Sequence, residues 1–312
     1  MSRQTAIVRG IYDLRIPILI GILVVIFSAS IRDFLSLNTV EKTLLLLPSD
    51  GVIAIGATLV MIMGEFDLSV GGIVAVSSLL LARFLPLGLA VAIVAAIAGG
   101  AFIGFLNGVI IYKLRVNSVI TTIAMGFVLS GCALLLSDRS LFLKNPVLVF
   151  LGNNSAWIFP YSTLLYGALT VLVFLILKRT VFGLRMYAVG GNKVSSGYSG
   201  INIESMGIAV FVLNGVFVAL GSVLLTARLS SASPFLGSET AIFVITAVLL
   251  GGMTIGGGNG DVVKTLLGML LLSLMSKGFT QLQIPARYQN MIIGAVLILL
   301  LYTGKKLLER GK

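Results

Sequence analysis

A chain of 312 residues, 58% hydrophobic and only 11% charged, lacks the polar surface of a soluble domain, in which roughly 25% of residues are charged. Its net charge of +11 comes from basic residues scattered singly or in pairs between apolar runs, so no basic face exists for a phosphate backbone and nucleic acid is excluded as a partner. With no histidine and one cysteine, Cys132, the chain has no intrachain disulfide, no second thiol for a metal cluster and little support for catalysis.

A bilayer core takes about 20 apolar residues per helical span. Uncharged windows of this kind run 16–31, 51–64, 84–112, 116–137, 145–177, 205–227, 240–260 and 288–304. Shorter apolar runs at 43–49, 68–82 and 265–276 sit beside single charges and predict spans whose charge faces protein or a cavity. Counting them predicts ten helical spans in one transmembrane domain over 1–312. The fold class is therefore an all-α polytopic bundle, because barrel strands would alternate in polarity and these runs do not.

In chain order, Arg3, Arg9 and Arg15 precede the first span. This segment also resembles a secretory signal, since its apolar run ends in Ser28, Ala29 and Ser30; removing it would leave nine spans, with the two basic ends on opposite sides. In the second span Pro48, Ser49 and Asp50 predict an interruption, because proline lacks the amide donor and clashes with the preceding turn. Otherwise Asp50 marks the outer end of that span. GEFDLSVGG at 64–72 opens the third span. Its Glu65, Asp67 and Ser69 are candidates for the translocation path or for positioning helices, since ionisable groups at this level face a cavity or a partner. The plainer reading is a solvated hairpin turned by its glycines. In the fourth span Gly100, Gly104 and Gly108 repeat every four residues and read as a packing face, with Asn107 beside it.

The connection at 138–160 is polar, and Trp157 and Tyr161 suit a membrane interface there. The longest polar stretch is the loop from Lys178 to about Ser205. Helix-capable segments in it are bounded by Gly190, Gly191, Asn192 and Gly200, which suits a protein docking surface as well as a plain connection. GSETAIFV at 237–244 opens the eighth span as GEFDLSVGG opens the third, a hint of five-plus-five inverted repeats. The glycine cluster of 251–260 is no phosphate loop, because Val263 stands before Lys264 where glycine is required; it predicts a turn. With a cytoplasmic amino terminus, ten spans return Lys305, Lys306, Arg310 and Lys312 to the same side as Lys113, Arg115, Lys178, Arg179, Arg185, Lys193 and Lys264. Fourteen of the 22 basic residues are then inside, in accord with the positive-inside bias.

Three segments together carry a family likeness: GEFDLSVGG at 64–72, AVGGNKVSSGYSGI at 188–201 and SASPFLGSETAIFVITAVLLGGMTIGGGNG at 231–260. In order and spacing the chain resembles the permeases of ribose-type ABC sugar importers, related to those for branched-chain amino acids and nucleosides. The resemblance implies a multi-pass subunit of the cytoplasmic (inner) membrane, both termini cytoplasmic, paired with a second permease copy or a paralogue within membrane lipid. It also implies cytoplasmic ATPase subunits that bind ATP and Mg, an extracytoplasmic solute-binding protein, and no cofactor in this chain. The coupling element would be the loop of about 178–205, through Gly190, Gly191, Asn192, Ser199, Gly200 and Ile201. Lys193, Val194, Ser195 and Ser196 depart from the family's proline, acidic and alanine residues, and Thr240 follows Glu239 where leucine is common; these bear on the ATPase partner. The expected function is import of a small solute, a monosaccharide. The path would be sparse in polar groups, with Asp50, Glu65, Asp67, Ser69, Asn107, Asn117, Thr121, Asn214 and Gln289 as its candidates. The alternative is an ion-coupled secondary transporter, with protons or sodium carried by Asp50, Glu65, Asp67 or Asp261.

Overall fold

The structure, a computed structural model, describes residues 3–254 and 256–310. Among these residues it has thirteen α-helices and four two-residue strands. The long helices are α1 (Arg3–Ser30), α2 (Leu37–Ile62), α3 (Val70–Phe84), α4 (Leu89–Gly108) and α5 (Ser118–Leu136). After α5 come the short α6 (Pro146–Asn153), then α7 (Tyr161–Arg179), α8 (Val181–Gly191) and α9 (Lys193–Tyr198). The chain ends with α10 (Ile203–Leu229), α11 (Thr240–Leu250), α12 (Val262–Gln281) and α13 (Ala286–Arg310). Two antiparallel strand pairs, Leu141–Phe142 with Ser231–Ala232 and Ser155–Ala156 with Phe159–Pro160, stitch connections at one end of the bundle. Trp157 is at the tip of the second pair, 81% exposed.

Seven segments are long and apolar enough to cross a bilayer: Leu37–Ile62, Val70–Leu87, Leu89–Lys113, Ser118–Leu136, Tyr161–Arg179, Ile203–Leu229 and Val262–Gln281. Leu14–Ser30 and Thr240–Leu250 are shorter apolar helices. The protein is thus a polytopic helical membrane protein. The predicted window 145–177 divides into α6 and α7, since Asn153 and Asn154 end the apolar run and the Asn154 amide closes α6 on the Phe150 carbonyl at 3.0 Å. The window 240–260 shortens likewise, α11 stopping at Leu250 where the glycines begin and an irregular connection leading to Asp261.

The interruption predicted at Pro48 is absent. α2 runs unbroken from Leu37 to Ile62 with Pro48 inside it. Proline removes the donor that the Leu44 carbonyl would use, and the hydroxyl of Thr163 on α7 donates to that oxygen at 2.7 Å. A neighbouring helix re-satisfies the freed acceptor, the usual condition for proline inside a membrane helix. Asp50 follows on the same helix, half-buried and within electrostatic reach of Arg228 on α10.

α2 and α10 pack against each other at the centre, and both are largely buried. α3 and α4 pack on α10, while α11 and α12 pack on α2. The α4–α10 contact is backbone on backbone. A Cβ at Gly100 or Gly104 would fall onto the carbonyl oxygens of Gly215 or Phe211, and one at Gly108 would come within 2.8 Å of the Ile208 Cα. The stripe is the packing face that its spacing predicted. Gly104→Leu should therefore lower the thermal midpoint of the detergent-solubilised protein, overpacking at such contacts costing about 1–3 kcal/mol or more. Gly167→Leu on α7, where a Cβ meets nothing within 4 Å, is the matched control. Equal midpoints for the two variants would refute the close contact.

Candidate functional site

The segment between α2 and α3 leaves helical geometry at Gly64, whose φ is +76°, a value that glycine adopts without steric cost. It brings Asp67 back into the bundle, where the side chain is 4% exposed. One carboxylate oxygen, Oδ1, accepts from the Ser69 amide at 2.8 Å and from its hydroxyl at 2.5 Å, which turns the chain into α3. The other, Oδ2, accepts from Asn214 Nδ2 of α10 at 2.6 Å. The Ser69 hydroxyl in turn accepts from Asn107 Nδ2 of α4 at 2.9 Å. Three donors thus meet the two oxygens of one carboxyl group, leaving neither oxygen orphaned. Gly56 of α2 makes room for the cluster, since a Cβ there would stand 2.6 Å from Asn214 Oδ1.

Four of the nine path candidates, Asp67, Ser69, Asn107 and Asn214, thus form one buried network joining α3, α4 and α10. The solvated-hairpin reading fails for Asp67. Two residues that the sequence reasoning passed over hold the segment from α5: the Leu68 amide donates to Thr122 Oγ1 at 3.0 Å and the Phe66 amide to Ser118 Oγ at 3.4 Å. Their spacing of four residues at the start of a span was the available signal. Beside the segment lies a cavity of about 350 Å³ between α3, α5 and residues 234–241. Leu68, Gly72, Phe127, Ser130, Phe235 and Ser238 are among its walls.

The remaining candidates are elsewhere. Glu65 is half-buried and ion-paired with Lys193 of α9, whose ammonium also lies 5.6 Å from the centre of the Tyr112 ring. Asn117 caps α5, its Oδ1 accepting from the Val119 amide at 2.9 Å. The Thr121 hydroxyl donates to the Asn117 carbonyl at 2.9 Å, and Gln289 Nε2 to the Ile284 carbonyl at 2.7 Å. Local helix bonds occupy all three. Asp261, considered for ion coupling, caps α12 through the Val263 amide at 2.8 Å and faces Lys178 at 3.8 Å.

A second constellation joins the 178–205 loop to the base of the bundle. Asn192 caps α9 by accepting from the Ser195 amide at 2.9 Å; at its far end the Ser199 hydroxyl returns to the Ser195 carbonyl at 3.0 Å and the Ile201 amide to Ser196 at 3.1 Å. Gly200 follows with φ +80°. Val194 and Tyr198 on α9 are 68% and 90% exposed. Gly190 packs where three backbones meet: the Gly258 amide donates to the Ile62 carbonyl at 2.8 Å, and a Cβ on Gly190 would fall onto that same carbonyl and within 2.6 Å of the amide. At Gly191 and Gly200, by contrast, a Cβ would meet nothing within 4 Å. The Tyr187 hydroxyl adds a tie to the Gly260 carbonyl at 2.7 Å; burial, with the Asp261 charge beside it, pushes that phenol up to about 12.

Residues 39–301 match the family described as branched-chain amino acid transport system / permease component. The chain is 34% identical over 286 residues to the ribose import permease protein of Escherichia coli strain K12, covering 89% of each. It is 32% identical over 295 residues to that of Bacillus subtilis strain 168, covering 91% of this chain and 90% of the relative. To the L-arabinose ABC transporter permease protein of Azospirillum brasilense it is 31% identical over 275 residues, covering 87% and 81%.

Proposed function

The chain belongs to the family of branched-chain amino acid transport system permease components, and from that membership we propose that it is the membrane-spanning subunit of an ATP-binding-cassette importer for a monosaccharide. The observation that carries this reading is the alignment, over nearly the whole chain, with permeases of ribose and arabinose import. Partner ATPase subunits bind ATP and Mg, an extracytoplasmic binding protein delivers the sugar, and a second permease copy or paralogue completes the pore.

The chain crosses the inner membrane ten times, α1, α11 and α13 joining the seven longer apolar segments, with both termini cytoplasmic. Two inverted halves build it. The packing supports this, because α3 meets α4 and α5 as α11 meets α12 and α13, around the α2–α10 pair. α9 docks on the ATPase. Its motion reaches the 63–69 segment through the Gly190 junction and the Lys193–Glu65 pair, and the Asp67 network passes it to α4, to α10 and to α3, which walls the cavity together with α5. Few hydroxyls line that cavity, so a sugar passes without being held.

The test is uptake of radiolabelled ribose or arabinose by proteoliposomes holding the permease, its ATPase and its binding protein. Uptake should require hydrolysable ATP on the ATPase side and survive collapse of proton and sodium gradients. Uptake that persists without ATP and vanishes with a gradient would establish the ion-coupled alternative instead.

A further inference from the structure

At the end of the bundle opposite α9, α1, α2 and α12 enclose an apolar groove of about 180 Å³, lined by Val24, Leu35, Val40, Leu44, Leu270 and Leu274 among others. All three helices are apolar along this stretch, so the medium at the groove is lipid. Two lysines adjoin the lining residues along α2 and α12. Lys277 lies one helical turn beyond Leu274 on α12, and Lys42 lies on α2 between Val40 and Leu44. α12 packs on α2 here, Gln281, one turn beyond Lys277, donating to the hydroxyl of Thr39, one turn before Lys42, at 3.3 Å, and the two lysine charges act on one another.

Neither lysine has a carboxylate within ion-pairing distance among the described residues. The neighbouring acid on α2, Glu41, accepts from the Ser155 hydroxyl at 2.6 Å. Lys277 is four residues from the end of α12 and Lys42 five from the start of α2, which at 1.5 Å per residue places both about 6–8 Å inside the helix ends. That is the depth at which a long amine reaches the headgroup layer. Two like charges side by side at the lipid boundary are unfavourable unless an anion lies between them.

We propose that this groove is a binding site for an anionic phospholipid, with one acyl chain seated among α1, α2 and α12 and the phosphate held between Lys42 and Lys277. The apolar walls take the chain and the paired ammonium groups select the head group. The proposal rests on the membrane-spanning fold and is independent of which solute the protein carries.

Native mass spectrometry of the full-length detergent-solubilised protein tests it, with phosphatidylglycerol and phosphatidylcholine as probes. Wild-type protein should bind phosphatidylglycerol about thirtyfold more tightly than Lys42→Gln/Lys277→Gln, each lysine near an anionic head group contributing about a fivefold gain. Phosphatidylcholine should bind both proteins equally. Leu274→Trp, which fills the groove and leaves the lysines in place, should lose phosphatidylglycerol as well. If that variant does not fold, the lysine variant alone decides. Equal phosphatidylglycerol affinity in wild type and the lysine variant would overturn the proposal. So would displacement of the lipid by millimolar inorganic phosphate, which marks a site for the free anion, or a change of oligomeric state in the lysine variant, which marks a contact between copies.

Discussion

Asp67→Asn and Asn214→Asp should each reduce sugar uptake about tenfold or more while the protein still reaches the membrane, and the double exchange should restore most of it. The single changes keep side-chain shape. Asp67→Asn sets an amide donor against the Asn214 donor that now lies 2.6 Å from Oδ2; Asn214→Asp sets two carboxylates face to face at the same place. Leaving a buried polar group unmatched costs about 1–3 kcal/mol, and about 1.4 kcal/mol is a factor of ten. The exchange reverses the direction of one bond and leaves the Ser69 donors an oxygen to meet. Uptake in proteoliposomes, normalised to protein abundance, reads the result. A double variant no better than either single one, at normal abundance, would mean that the bond between Asp67 and Asn214 is irrelevant to transport.

Gly190→Ala should abolish uptake and sever it from ATP hydrolysis, although the change adds one methyl group. That carbon would occupy the place of the Ile62 carbonyl and press on the Gly258 amide, so the 2.8 Å bond between them and the seat of the loop are lost together. Gly191→Ala, one residue on, meets nothing of this chain. It should leave the isolated permease as stable as wild type and act only where a partner covers the site. Gly200→Val strains a backbone held at φ +80° by roughly 1–2 kcal/mol and should loosen the end of α9. Solute-stimulated ATPase activity and retention of the ATPase in purified complexes separate the three. Wild-type coupling in Gly190→Ala would remove the junction from the transmission path.

Much of the bundle was legible because a membrane helix must be long and apolar: α4, α5 and α10 fall where the uncharged windows lie, α12 over the shorter run of 265–276, and α2 over the run of 43–49 with the window of 51–64. The glycine stripe of α4 was legible for the same reason of periodicity. Pro48 misled, since the rescue of the Leu44 carbonyl comes from Thr163, 119 positions away, and no local pattern announces it. The polar network was legible only as a set of polar residues in apolar surroundings. That signal selects Asn107 and Asn214 as readily as Asn117 and Gln289, whose bonds are local. What joins Asp67 to Asn214 across 147 positions is the packing of α2, α4 and α10, which depends on glycines at contacts that sequence spacing leaves unpaired. The loop of 178–205 stood out by its glycines, yet the tight one is Gly190 and the open ones are Gly191 and Gly200, a distinction that only the Ile62 and Gly258 backbones make.

The Thr163 hydroxyl also bears on how the chain is made. Synthesis runs from the amino terminus, so α2 is complete well before the ribosome reaches α7. During that interval the Leu44 oxygen has no helical donor, and hydrocarbon offers none. α2 therefore gains from waiting beside water or within a protein channel until α7 arrives to cover it. Thr163→Val would leave the finished fold with the same orphan, and its first symptom would be a newborn chain that lingers at the insertion machinery and is degraded there, at a stage before any sugar is moved.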